Sequence, residues 1–239
     1  MKNLNTQIKQ LKKILNIDEE ILSVTFVDAD FLGSGNIHRD TACTAIARAF
    51  KNKEAVVVSA KNQLCPGADY FLKLKKIKTK EAIDAYVEGE KVFENKNVCQ
   101  TFLRALPKYP IKLMKKDIVI NSSINVKTQL AILLINPAQA NRIIGLLNFD
   151  RYNKVDFLPN QPTCISLFAP LVSGAPHINF MDYYDRYYQG KINKKYLWPE
   201  DKMIISLRFS DFKKILKNLE KSPHGNYIPR LYPQKADAL

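Results

Sequence analysis

Four cysteines, Cys43, Cys65, Cys99 and Cys164, are the residues best suited to chemistry in this chain. Cys65 is followed by Pro66 and Gly67, which break the chain sharply because proline fixes φ and glycine permits unusual backbone geometry. It comes just after a strand-like run and just before a helix-like one, so its sulfur is expected near free backbone N–H groups. Those groups and the positive helix end favour the thiolate, the form that binds a metal or attacks an electrophile. Cys-Pro is also a frequent neighbourhood of iron–sulfur ligands. Cys164 follows Gln161-Pro162-Thr163 and opens another predicted helix, where the same effect would act. Cys43 sits in a helix-like run, TACTAIARA, whose small residues let a second segment approach closely. Cys99 lies between Val98 and Phe102 in a helical stretch, where a core role is expected. The spacings match neither CxxC nor a zinc finger, which leaves a structural zinc site with little support. Taken singly, Cys65 is more simply a buried thiol beside a turn.

A second kind of site is the junction Asn136-Pro137-Ala138-Gln139. A strand end running into a helix start presents free N–H groups that can cradle an anion, with the Asn136 and Gln139 side chains as added partners. The plainer reading is that Asn136 caps the helix and Pro137 occupies its first turn. His38 and His224 read as surface residues, and His177 falls on a strand-like run. The tyrosines Tyr183, Tyr184, Tyr187 and Tyr188 around Arg186 could line an apolar pocket, but their helical spacing on two faces suits ordinary packing better. Gly33-Ser34-Gly35 is too short for a phosphate loop. No Ser–His–Asp order or paired-carboxylate motif singles out hydrolytic residues.

The elements that must position these residues are legible from periodicity. Leu4, Ile8, Leu11 and Leu15 recur at helical spacing, predicting a first helix over residues 3–16. Ser23–Asp28, Glu54–Ala60, Asp117–Ser122, Gln129–Ile135, His177–Met181 and Met203–Leu207 read as strands, the Gln129–Ile135 run being apolar enough for a central one. His38–Phe50, a segment beginning near Tyr70, two stretches between Lys80 and Leu106, Asn136–Asn148 and Thr163–Leu171 read as helices. A last helix is predicted from an N-cap at Ser210 to about Lys221, with a loosely ordered tail beyond. Strands alternate with helices but some lack a crossover helix. The expectation is therefore an α/β or α+β fold, a mixed sheet with helices packed on it. Residues 1–239 form a single domain, with the first helix and the tail 222–239 peripheral.

Bulk properties narrow the classes. A chain of 239 residues with 46% hydrophobic and 25% charged content can bury a core without disulfides or a structural metal, so any metal would serve function. The start of the sequence lacks the apolar run of a signal peptide, and the apolar stretch Leu130–Ile135 is far too short to span a bilayer. With four cysteines and no secretion signal, the expectation is a cytoplasmic protein with reduced thiols and no membrane. The net charge of +14 admits nucleic acid as a partner. However, the cations are mostly lysines spread along the chain, unaccompanied by a nucleic-acid-binding motif.

Three stretches together resemble the uncharacterised family called domain of unknown function 169, found in archaea and anaerobic bacteria. The first is Cys43-Thr44-Ala45-Ile46-Ala47 with VVVSAKNQLCPGADYFLKL from Val56 to Leu74. The second is Leu133-Leu134-Ile135-Asn136-Pro137-Ala138-Gln139-Ala140. The third is Thr163-Cys164 with Pro170-Leu171-Val172-Ser173-Gly174, then Arg186 and the acidic pair Glu200-Asp201. Ala68 and Lys73 stand where the family more often has glycine. The resemblance implies a shared fold and no established activity. It groups Cys43, Cys65 and Cys164 at motif positions, leaves Cys99 out, and adds Arg186 to Asn136 and Gln139 as candidate ligand-binding residues. Three converging thiolates would suit a [4Fe–4S] cluster with one open iron or a three-thiolate soft-metal site. The alternatives are a metal-free protein that binds a small molecule or anionic ligand or works as a redox thiol at Cys65, and a basic nucleic-acid-binding module. None of these readings implies a particular reaction.

Overall fold

The computed structural model describes residues 3–28, 39–106, 116–157, 162–181, 186 and 198–226. Its organising element is β4 (Leu130–Ile135), six apolar residues buried throughout, which sits at the middle of a seven-stranded sheet. The other strands are β1 (Leu22–Val27), β2 (Val56–Val58), β3 (Asp117–Asn121), β5 (Asp156–Phe157), β6 (His177–Asn179) and β7 (Met203–Arg208), in the order β2-β3-β1-β4-β7-β6-β5. The sheet is mixed, as expected: the pairings are antiparallel except β5 with β6.

Side chains on a strand alternate between faces, and β4 divides the core accordingly. Leu130, Ile132 and Leu134 face α2 (Ala42–Asn52), α3 (Pro66–Leu72) and α7 (Thr163–Phe168). Ala131, Leu133 and Ile135 face α1 (Leu4–Leu15), α6 (Pro137–Asn148) and α9 (Phe209–Asn218). A smaller apolar cluster joins α4 (Thr79–Asp84) and α5 (Lys96–Ala105), and α8 (Pro170–Ser173) follows α7 directly. These layers form one α/β domain. Among the described residues no helix is long and apolar enough to cross a membrane.

Several boundaries differ from expectation for local reasons. The helix expected near Tyr70 begins at Pro66, because proline is well placed in a first helical turn. Lys73 then ends it with φ +56°. The last helix starts at Phe209 rather than after Ser210; β7 runs into it directly, with Arg208 at the cap position and no side-chain cap. The chain beyond Lys221 is held as far as Asn226, since Arg142 donates to the His224 and Gly225 carbonyls at 2.8 and 2.9 Å. His38, Gly33–Gly35 and Tyr183, Tyr184, Tyr187 and Tyr188 lie outside the described residues.

Candidate thiol centre

The cysteine-bearing helices meet on one face of the sheet. Cys65 is the N-cap of α3, Cys164 the second residue of α7, and Cys43 the second residue of α2. Cys43 and Cys164 are buried in the same core cluster, and the half-buried Cys65 packs against it. Cys99 is buried elsewhere, in the cluster of α4 and α5. Three of the four cysteines thus pack in one large core cluster and the fourth in another.

What joins them is Tyr86. α4 does not end at Asp84 but widens into a single π turn, Ala85–Gly89. Such turns are rare and recur at functional sites because the extra residue redirects the side chains around it. Here Tyr86 is turned inward, 1% exposed, with its hydroxyl against Gly67 in the first turn of α3. A methyl group at residue 67 would overlap that oxygen. Phe93 and Phe102 pack edge-on against the ring at 6.1 Å and fix its plane. The hydroxyl is buried and has no hydrogen-bond partner among the described residues.

The electrostatics of the centre follow from the clustering of acidic protons. Burial pushes the Tyr86 phenol well above its ordinary value, and the nearby Cys164, Cys65, Glu90 and Cys43 push it further in that order. The Cys65 sulfur is 3.8 Å from Glu90 Oε1. Burial again is the first cause of a strongly raised Cys65 thiol, followed by Cys164 and Glu90. The helix-start N–H groups of Ala68 and Gly67 act the other way, as the sequence predicts, but they are outweighed. The expectation that its position favours the Cys65 thiolate is therefore corrected: at neutral pH this cysteine is a thiol. The cause is that the same turn that offers N–H groups is covered by Tyr86 and faced by a carboxylate.

Among the described residues no three histidine, cysteine, aspartate or glutamate side chains are grouped so that they could hold an ion. Cys43, Cys65 and Cys164 share a neighbourhood without forming a ready coordination shell.

The remaining predicted site residues are engaged by the protein itself. The Asn136 side chain accepts from the Gln139 backbone N–H and the Gln139 side chain from that of Asn136, both at 2.9 Å, a reciprocal cap on α6. Gln139 Nε2 also donates to the Leu15 and Asn16 carbonyls at 3.2 and 2.5 Å, tying down the end of α1. Arg186 donates to four backbone carbonyls, those of Phe180, Met181, Pro199 and Lys202, at 2.5 to 3.3 Å. It joins the segment after β6 to the turn before β7. Burial lowers its guanidinium from the ordinary value, opposed by Glu200 and Asp201.

Sequence reasoning passed over Tyr86 and Glu90. Both lie in a stretch read only as helical, and the shift of register that a π turn introduces leaves no mark in hydrophobic spacing. The available signal was Gly67: a glycine in a first helical turn beside a candidate cysteine invites a close neighbour.

No curated protein and no solved structure matches the chain. A family model does, that of DUF169, described as an uncharacterised ArCR, over residues 10–218. That span takes in β1 through α9 and every cysteine, so the chain belongs to the DUF169 family.

Proposed function

We propose that this chain is a thiol protein that takes a soft, thiolate-seeking metal ion at Cys43, Cys65 and Cys164, with Glu90 and Tyr86 beside them. The observation that carries the reading is the gathering of three thiols, a carboxylate and a buried phenol, unpartnered among the described residues, around the start of α3. Each raises the cost of ionising Tyr86, because like charges in a medium of low dielectric repel. A bound cation reverses that balance, since a coordinating thiol gives up its proton to the metal. Binding must draw the sulfurs together, with α2, α3 and α7 each bringing one.

A single ion suits the centre better than a [4Fe–4S] cluster, because Tyr86 fills the space against Gly67. A cluster would require the phenol to leave. Reduced thiols at such a centre are those of a cytoplasmic protein.

The test is metal, iron and sulfide analysis of protein purified without oxygen, with Cys43→Ala, Cys65→Ala and Cys164→Ala alongside. Loss of metal in these three and retention in Cys99→Ala supports the proposal; metal content unchanged in all three rejects it. Equal iron and sulfide would make the group a cluster.

A second reading is a metal-free reactive thiol at Cys65, favoured by its being the only cysteine not buried among the four. It requires selective alkylation of Cys65, which its raised pKa opposes.

A further inference from the structure

A cleft of 470 Å³, lined by none of the cysteines, opens between the loop 151–156 after α6, the turn 173–176 and the junction of β7 with α9. That is within the size range of small-molecule sites. Arg151, Tyr152, Lys154, Asp156, Arg208 and Asp211 line it. The two carboxylates are already matched: Asp156 by Lys154 at 2.7 Å, with His177 Nε2 at 3.4 Å, and Asp211 by Lys214 at 2.8 Å. Among the described residues neither Arg151 nor Arg208 makes an ion pair, so the cleft holds two guanidinium groups in excess.

Arg208 is also held in place. Its Nε donates to the Gly174 carbonyl at 3.2 Å, and its terminal nitrogen lies where a side chain at residue 174 would be. Gly174 is favoured by its φ of +79°, and a side chain there would also push the Arg208 guanidinium aside. Among the described residues no acceptor takes the other guanidinium N–H groups, which present the fork geometry that suits phosphate and carboxylate oxygens. Beside them Tyr152 is 84% exposed, an aromatic face open to a ligand. The net charge of +14 attracts anions to the molecule as a whole.

We propose that this cleft binds a small ligand with a phosphate group and a planar ring, of the nucleoside monophosphate type. Arg151 and Arg208 hold the phosphate and Tyr152 stacks on the ring. The site is independent of the thiol centre.

Isothermal titration calorimetry at low salt with adenosine monophosphate, inorganic phosphate and adenosine tests this. Adenosine monophosphate binds, phosphate binds more weakly, and adenosine alone is weakest. Arg151→Gln and Arg208→Met each weaken the monophosphate by about ten-fold, the loss of one charge-assisted contact. Tyr152→Ala weakens the monophosphate but leaves phosphate unchanged. Lys51→Gln, which removes an equal charge from an exposed residue elsewhere, changes nothing. Absence of heat with both anions overturns the proposal. So does an equal loss in Lys51→Gln, which would make the attraction a property of the whole basic surface. Arg151 is exposed and its side chain makes no hydrogen bond or ion pair among the described residues, so its variant remains decisive even if Arg208→Met destabilises the fold.

Discussion

The hydroxyl of Tyr86 rests on the backbone of Gly67, with no side chain between the π turn after α4 and the first turn of α3. Everything distinctive about the thiol centre depends on this contact, because it brings the phenol among Cys43, Cys65, Cys164 and Glu90.

Gly67→Ala therefore destabilises the fold by about 2 kcal/mol, the cost of overfilling a packed site. The cause is steric, since Gly67 lies in a helix, where alanine is favoured over glycine by about 1 kcal/mol. In a Tyr86→Ala background the same change should be neutral or stabilising. A urea-unfolding double-mutant cycle reads the difference, and additive effects would show that the two residues do not touch.

Tyr86→Phe removes a buried hydroxyl that has no partner among the described residues. Leaving such a group unsatisfied costs about 1–3 kcal/mol. The variant is expected to be more stable than the parent by about 1 kcal/mol while holding metal less well. Reduced stability would mean that the hydroxyl is satisfied in solution.

The Cys65 thiol and the Tyr86 phenol both have raised pKa values in the folded state. The folded protein then holds protons that the unfolded chain has released, and stability falls as pH rises. The loss begins near pH 9, the ordinary cysteine value, and deepens above 10 as the tyrosine joins it. Denaturant midpoints measured from pH 7 to 11 test this. Glu90→Gln removes one cause of the Cys65 shift, so iodoacetamide should modify Cys65 faster in that variant than in the parent. An unchanged rate would show that Glu90 does not act on the thiol.

How far the sequence could be read depended on whether a signal was local. The run Leu130–Ile135 followed by Asn136-Pro137 foretells both β4 and α6, because burial on two faces and a capped helix start each leave a pattern within a few residues. The joint position of Cys43, Cys65 and Cys164 was legible only through the family resemblance, since α2, α3 and α7 meet through tertiary packing. The thiol chemistry of Cys65 was misjudged because a helix start was visible and its cover was not. Asn136 and Gln139 offered a capping pattern and an anion cradle at once; the side chains form the reciprocal cap.

Gln139 accordingly tests the structural account of that junction. Its amide bonds to the Leu15 and Asn16 carbonyls join α1 to α6. Gln139→Ala should cost about 1–3 kcal/mol, leaving the buried Leu15 carbonyl without this donor. Proteolysis within α1 should become faster, while metal binding stays unchanged. A variant as stable as the parent would contradict the clamp.

The most direct test of the thiol centre is titration of the reduced protein with cadmium under nitrogen, followed by ultraviolet absorbance. Thiolate ligation gives a sulfur-to-metal charge-transfer band. The band is expected to saturate at one ion per chain, to release protons, to weaken in Cys43→Ala, Cys65→Ala and Cys164→Ala, and to persist in Cys99→Ala. A protein that shows no such band with all four thiols reduced, or one whose band survives loss of each of the three cysteines, would contradict the account.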